Sequence, residues 1–133
     1  MKTPGSLALD SSVIVQHLRA RNPSLTAQLK AAAELYLPLT ALGEMLYGIR
    51  KSGNDPRAVQ QWSEFSKNVV LLPSDEATAS AYAELKAHLA AMGKLIPEND
   101  IWITASAKSH DLPLLCSDAH FDYLKEVMSV IQV

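Results

Sequence analysis

Short apolar runs alternate with helix-like segments along this chain, and the alternation limits the folds open to it. The apolar runs lie at residues 6–10, 35–38, 68–72, 114–116 and 127–133. Alternation of strands and helices favours a mainly parallel sheet with helices on both faces, because parallel strands need long crossover connections. The sequence therefore predicts an α/β fold with about five strands in three layers.

Helical spacing of apolar residues fills the intervals between these runs. It predicts helices at 11–18, 25–33, 40–52, 56–67, 74–92 and 99–109, and a short one at 121–126. Ser74 and Asn99 have the side chains preferred at helix N-caps, so each is expected to cap its helix. The continuous apolar run at 68–72 is typical of a strand that is covered on both faces.

Length and composition predict a single domain over residues 1–133. Apolar residues make up 48% of the chain, and no apolar run approaches the roughly 20 residues that span a bilayer. Cys116 is the only cysteine, which excludes an intrachain disulfide, and no signal-peptide pattern is present. We therefore expect a cytoplasmic protein. The formal charge of −2 predicts no broad basic surface for nucleic acid.

Four acidic residues recur at equivalent places in the predicted alternation. Asp10 and Asp118 each follow an apolar run, while Glu44 and Asp100 lie near helix starts. Each can face the carboxyl edge of one sheet, where α/β proteins bind ligands. The alternative is local: an acid at a helix start can simply cap the helix or interact with its dipole.

Four neighbouring carboxylates would raise one another's pKa values unless cations keep them ionised. Oxygen-only ligands suit Mg²⁺ or Mn²⁺ better than zinc, and no Cys/His pair has zinc-site spacing. The pattern therefore predicts a divalent-cation site of the kind that supports two-metal phosphoryl chemistry.

The sequence resembles the PIN-domain ribonucleases and, among them, the VapC-type toxins of bacterial toxin-antitoxin pairs. Residues 7–14, 40–49, 97–105 and 115–121 carry the resemblance, in order and over nearly the whole chain. It implies a PIN-like three-layer α/β/α fold and endonucleolytic RNA cleavage by metal-activated water. It also implies Mg²⁺ or Mn²⁺ held by Asp10, Glu44, Asp100 and Asp118, and a homodimer inhibited by a VapB-like antitoxin.

The chain departs from the family pattern near its last acid. Cys116 stands where the family often has Thr or Ser, so a hydroxyl is replaced by a weak donor. Ser117 could substitute, but strand alternation predicts that its side chain points the other way. Ser12 keeps the family's small polar residue and is expected to bond Asp10 or a metal-bound water. Cys116 itself is expected to be plain core.

Several further residues could support the four acids. Asp122 is a possible auxiliary ligand, and His120 could touch a phosphate, although a surface loop histidine is the simpler interpretation. Four basic residues could guide an RNA backbone, or could be ordinary helix-end charges. They are Arg19, Arg21, Arg50 and Lys51.

Two functions of other classes remain open at this point. A receiver-type signalling domain also places an aspartate after a strand, but Asp10 has no adjacent acid and no lysine ends the run at 114–116. A non-catalytic PIN-like binding module would keep the fold without cleaving RNA. Retention of all four acids argues against that module, and the Cys116 departure argues for it.

Overall fold

A five-stranded parallel sheet forms the centre of the molecule, in a computed structural model that describes residues 5–133. The strands follow the order β3-β2-β1-β4-β5, and every adjacent pair is parallel. They are β1 (Leu7–Leu9), β2 (Leu35–Pro38), β3 (Val69–Leu72), β4 (Leu114–Cys116) and β5 (Val130–Gln132). The predicted three-layer α/β/α fold is therefore confirmed.

In the part of the chain that the structure describes, six α-helices and one 3-10 helix connect and cover the strands. They are α1 (Ser11–Leu18), α2 (Pro23–Ala31), α3 (Leu39–Lys51), α4 (Pro56–Ser66), α5 (Glu76–Met92), α6 (Glu98–Ser109) and the 3-10 helix Ala119–Leu124. Among the residues described, no helix combines the length and apolar character needed to cross a bilayer.

Two predicted helix caps were wrong by a residue or two. Asp75, rather than Ser74, caps α5, because its carboxylate accepts from the backbone of Thr78 while the Thr78 side chain accepts in return from the backbone N–H of Asp75. Pro97 occupies the N-cap position of α6, so Asn99 lies inside the first turn. The proline suits this entry because its fixed φ directs the chain into the helix.

The run at 68–72 was also misread, since it is not covered on both faces. Its strand, β3, ends the sheet and, within residues 5–133, pairs only with β2. Val70 and Leu71 are 49% and 45% exposed. Apolar composition alone does not separate a central strand from an edge strand, because both need β-branched or aliphatic residues to pair.

Helix α6 is enclosed by apolar residues on most of its surface. Ile103 and Ala107 pack into the main core with the sheet, while Ile101 and Ala105 pack into a second core with Leu85 of α5. A helix that is buried on opposite sides has little freedom to shift, because close-packed interiors resist displacement. The N-terminus of α6, which carries Asp100, is thereby fixed.

The sheet order creates a crevice between β1 and β4. From β1 the chain proceeds towards β2 on one side, and from β4 it proceeds towards β5 on the other. In open α/β sheets, ligands bind at such a reversal, outside the carboxyl ends of the strands. The last residues of β1 and β4 are Leu9 and Cys116, which lead directly to Asp10 and towards Asp118.

Candidate metal centre

Asp10 occupies the N-cap position of α1 without acting as a cap. Its carboxylate accepts a hydrogen bond from the Ser12 hydroxyl. The backbone N–H groups of Ser11 and Ser12 lower the pKa of Asp10, but neither makes a capping hydrogen bond of normal geometry. Asp10 is only 3% exposed. The capping alternative therefore does not explain its position, and the predicted contact between Ser12 and Asp10 is present.

Glu44 lies in the second turn of α3, since the helix begins at Leu39. Its distance from the helix start makes a dipole interaction a poor explanation, because that effect is largely confined to the first turn. Ser11 donates its hydroxyl to Oε1 of Glu44 at 2.9 Å. Ser11 had no assigned role in the sequence, where it was indistinguishable from an ordinary helix-start serine.

Asp100 and Asp118 approach the same crevice from α6 and from the end of β4. The Asp100 side chain is 13% exposed, and its Oδ2 atom hydrogen-bonds Nε2 of His120 at 2.7 Å. Asp118 is exposed and makes no side-chain capping bond to the 3-10 helix that follows it. The amide of Gln132 donates to the backbone carbonyl of Asp118 at 2.8 Å, which anchors the loop.

The four acids form two overlapping groups that share Asp100. In each group, one ligand atom from every member lies within 4.8 Å of the others. The first group is Asp10, Glu44 and Asp100, and the second is Asp100, Asp118 and His120. The acids predicted to converge therefore do so, and their oxygen-rich donor set suits Mg²⁺ or Mn²⁺. His120, which was interpreted as a surface loop residue, joins them.

The arrangement disfavours the ionised form of two carboxyls. Burial is the main cause that raises the pKa of Asp10; the Ser12 hydrogen bond opposes the rise and the charge of Glu44 adds to it. Burial, followed by the charge of Asp10, raises the pKa of Asp100 to about 6, against an opposing hydrogen bond from His120. A bound cation would favour the ionised forms of both groups.

A chain of hydroxyls leads from the end of β4 to Asp10. Ser117 Oγ donates to Ser12 Oγ at 2.9 Å, and Ser12 donates to Asp10. The expectation that Ser117 points away was wrong, because β4 ends at Cys116 and strand alternation does not extend beyond it. Cys116 turns towards β5, where Sγ contacts the carbonyl of Ile131 at 3.8 Å.

Cys116 behaves as the core residue that was expected. It is fully buried, and desolvation, followed by the nearby carboxylates, raises the pKa of its thiol to about 12. The neutral thiol is therefore the stable form at physiological pH, and a thiolate nucleophile is disfavoured.

The remaining predicted residues belong to neither group of ligand atoms. Asp122 is exposed, pairs with Lys125 at 3.1 Å and belongs to neither group of ligand atoms. Arg19 lines a groove that also contains Glu44. Arg21 follows α1, and the other two basic candidates, Arg50 and Lys51, form the exposed end of α3.

Fold and site together define an α/β protein with a carboxylate centre at the reversal of a parallel sheet. The sequence profile of the PIN domain matches residues 7–127, and the chain belongs to the PIN domain family. The chain is 29% identical to Ribonuclease VapC5 of Mycobacterium tuberculosis, over 96% of this chain and 94% of that protein.

Many solved structures share the fold, and two of them show how far the similarity extends. One is VapBC2 from Rickettsia felis, bound to a DNA fragment from the promoter of VapBC2. Its TM-score is 0.87, with 18% identity over 96% of this chain and 98% of that chain. The other is VapBC-5 from Mycobacterium tuberculosis, a member of the VapBC family of toxin-antitoxin systems. Its TM-score is 0.79, with 24% identity over 98% of this chain and all of that chain.

The hydroxyl chain predicts energetic coupling between Ser117 and Ser12. Each partly buried hydrogen bond that is lost should lower the free energy of unfolding by about 0.5–1.5 kcal/mol. Ser117→Ala removes one such bond, and Ser12→Ala removes two, to Ser117 and to Asp10. The double variant should lose less than the sum, because Ser117 reaches Asp10 only through Ser12. Urea denaturation of the wild type, the two single variants and the double variant gives the four free energies of unfolding. Strict additivity of the two losses would contradict the coupling of Ser117 to Asp10 through Ser12.

Proposed function

We propose that this chain is a divalent-cation-dependent endoribonuclease that acts as the toxin of a toxin-antitoxin pair. The observation that carries the proposal is the convergence of Asp10, Glu44, Asp100 and Asp118 in two groups that share Asp100. Membership of the PIN domain family supports it. So does similarity to a protein named Ribonuclease VapC5.

The residues present fit Mg²⁺ or Mn²⁺, because carboxylate oxygens predominate and no thiolate is available. Such a cation, when bound, lowers the pKa of a water and neutralises charge that develops on phosphate. The protein's part is to fix the carboxylates. Ser12 orients Asp10, Ser11 orients Glu44, and the enclosed helix α6 positions Asp100.

We propose that four basic residues recognise the RNA backbone. Arg19 has the best-supported position, since it lines a groove together with Glu44. Arg21, Arg50 and Lys51 are exposed, and we assign them weaker contacts that steer the phosphates. A local basic contact is needed because the chain's net charge of −2 supplies no general attraction.

The receiver alternative loses its basis in the fold. Receivers have the sheet order 2-1-3-4-5 of flavodoxin-like proteins, whereas this sheet has the order β3-β2-β1-β4-β5. The argument for the non-catalytic alternative weakens, since Ser117 supplies a hydroxyl that reaches Asp10 through Ser12.

Removal of the shared ligand should abolish RNA cleavage. Asp100→Ala should lower the cleavage rate on the order of 100-fold or more, because both groups of ligand atoms lose a member. Purified protein incubated with total cellular RNA and Mn²⁺ gives the rate, and circular dichroism checks folding.

The matched control is Asp111→Asn, which lies just beyond the opposite end of α6. Asp111 is exposed and has a φ of 55°, a conformation that asparagine also adopts. The Asp111→Asn protein should cleave RNA at the wild-type rate. Full activity of folded Asp100→Ala protein would overturn the catalytic assignment.

The groove beside Glu44 is our proposed site for the antitoxin. It has a volume of about 230 Å³ between α1, α3 and α4. Its walls are mostly apolar, with Glu44 at the end that adjoins the acid centre. An apolar segment that carries a basic side chain would complement both features. The apolar lining residues are Val15, Leu18, Met45, Ile49, Ala58 and Trp62.

We also infer a cytoplasmic homodimer. Several large apolar side chains are exposed, among them Leu95 at 93% and Tyr47 at 66%. Such side chains often mark contact surfaces when they lie together.

Filling the groove should weaken antitoxin binding without disturbing the fold. Gly48 lines the groove, and a Cβ added there would meet nothing within 4 Å. Gly48→Leu should therefore raise the Kd for the cognate antitoxin about tenfold or more, as measured by calorimetry. Gly43→Leu is the control, since Gly43 has equal space in the same helix but does not line the groove. Equal affinities of both variants would contradict this location.

A further inference from the structure

His120 is directed into the acid centre rather than towards solvent. It lies on the 3-10 helix after Asp118, its side chain is 24% exposed, and its Nε2 atom hydrogen-bonds Asp100. Its ring also packs against Phe121, which is fully buried, with 4.7 Å between ring centroids. Packing on one side and the contact with Asp100 on the other together fix the orientation of the imidazole.

The two groups of ligand atoms differ in their donors. The group of Asp10, Glu44 and Asp100 offers only carboxylate oxygens. The other group combines the carboxylates of Asp100 and Asp118 with an imidazole nitrogen of His120. Mg²⁺ is a hard cation that prefers oxygen and keeps its waters. Mn²⁺ also binds well to oxygen, but it is the first member of the transition-metal series whose later members favour imidazole, and it accepts a nitrogen ligand more readily than Mg²⁺ does. The two positions are therefore chemically unequal.

We propose that His120 supplies Nε2 as a ligand to a cation held between Asp100 and Asp118, and that this nitrogen makes the position selective for Mn²⁺ over Mg²⁺. The inference rests on the proposed function, because it assumes that the acid centre binds cations. The hydrogen bond between His120 and Asp100 is then exchanged for bonds from both residues to one ion. The all-oxygen position accepts either metal.

The other three histidines of the chain have contacts elsewhere. His17 Nδ1 lies 2.9 Å from Thr26 Oγ1. Nε2 of His88 lies 3.2 Å from the carbonyl of Tyr123, and Nδ1 of His110 lies 2.8 Å from the carbonyl of Ser106. None of these three belongs to either group of ligand atoms among the residues described. A nitrogen signal from a bound ion can therefore be assigned to His120.

Electron spin echo spectroscopy of Mn²⁺ bound to the purified protein tests the ligation directly. The unpaired electrons of Mn²⁺ couple to the ¹⁴N nucleus of a bound imidazole, so the wild-type protein should show nitrogen modulation. His120→Ala should lose the modulation, and His88→Ala, a half-buried histidine away from the centre, should keep it. Modulation that persists in His120→Ala, or is absent from wild-type protein with bound Mn²⁺, would overturn the proposal.

Calorimetric titration with Mn²⁺ and with Mg²⁺ tests the proposed selectivity. His120→Ala should bind Mn²⁺ about tenfold more weakly at one position, while its affinity for Mg²⁺ changes less than about twofold. His120→Asn retains a donor for Asp100 without offering an imidazole, so it should repeat the loss of Mn²⁺ affinity in a protein that folds normally. Equal losses for both metals would overturn the selectivity.

Failure of this inference can be separated from failure of the proposed function. If wild-type protein binds Mn²⁺ and cleaves RNA but His120→Asn has unchanged Mn²⁺ affinity, only the role of His120 is overturned. If wild-type protein binds neither Mn²⁺ nor Mg²⁺ in the titration, the cation-dependent function and the role of His120 are both overturned.

Discussion

Burial of carboxylates that also repel one another, at the reversal of the sheet, is the constraint on which this site depends. Asp10 and Asp100 are largely removed from water, and their ligand atoms lie within 4.8 Å of each other and of Glu44. Burial and this proximity raise the pKa of Asp100 to about 6. Natural proteins retain such unfavourable groupings where function requires them, and packing elsewhere offsets the cost.

The surrounding structure partly offsets the cost of the buried carboxylates with hydrogen-bond donors and with a rigidly packed helix. Hydroxyls of Ser11 and Ser12 donate to Glu44 and Asp10, and His120 contacts Asp100. The helix that carries Asp100 is enclosed between two apolar cores. Hydrogen bonds alone do not restore ordinary acidity to Asp10 or Asp100, because both pKa values remain raised. A positive charge at the centre would complete the compensation.

Much of this architecture was predictable because it depends on order along the chain. Alternating apolar runs and helices predict the parallel sheet, and acids that follow strands converge at one edge wherever the strands are parallel. Asp10 and Asp118 are residues of this kind. The direction of Ser117 was not predictable, since it depends on β4 ending at Cys116 rather than one residue later. Strand ends are set by pairing, which local sequence does not specify.

The contacts of Ser11 and His120 were hidden for a related reason. Each depends on a partner far away in sequence, 33 residues away for Ser11 and Glu44 and 20 residues away for His120 and Asp100. The exposure of β3 likewise reflects its place at the end of the sheet order. Periodicity reports which face of an element is apolar, but not which element lies beside it.

Stability measured with and without metal tests the carboxylate constraint most directly. Because the pKa of Asp100 rises from 3.8 to about 6 on folding, the folded state binds this proton more tightly. Stability therefore falls as pH rises from about 4 to about 6 and stays lower above that range. In chelator at neutral pH, the free energy of unfolding of the Asp100→Asn protein should exceed that of the wild type by on the order of 1–3 kcal/mol, so the variant is the more stable protein. The difference should vanish at pH values below the unfolded pKa, and Mn²⁺ should reverse the order of stability. A variant less stable than wild type in chelator, or equal stabilisation of both proteins by Mn²⁺, would contradict a metal centre built on repelling carboxylates.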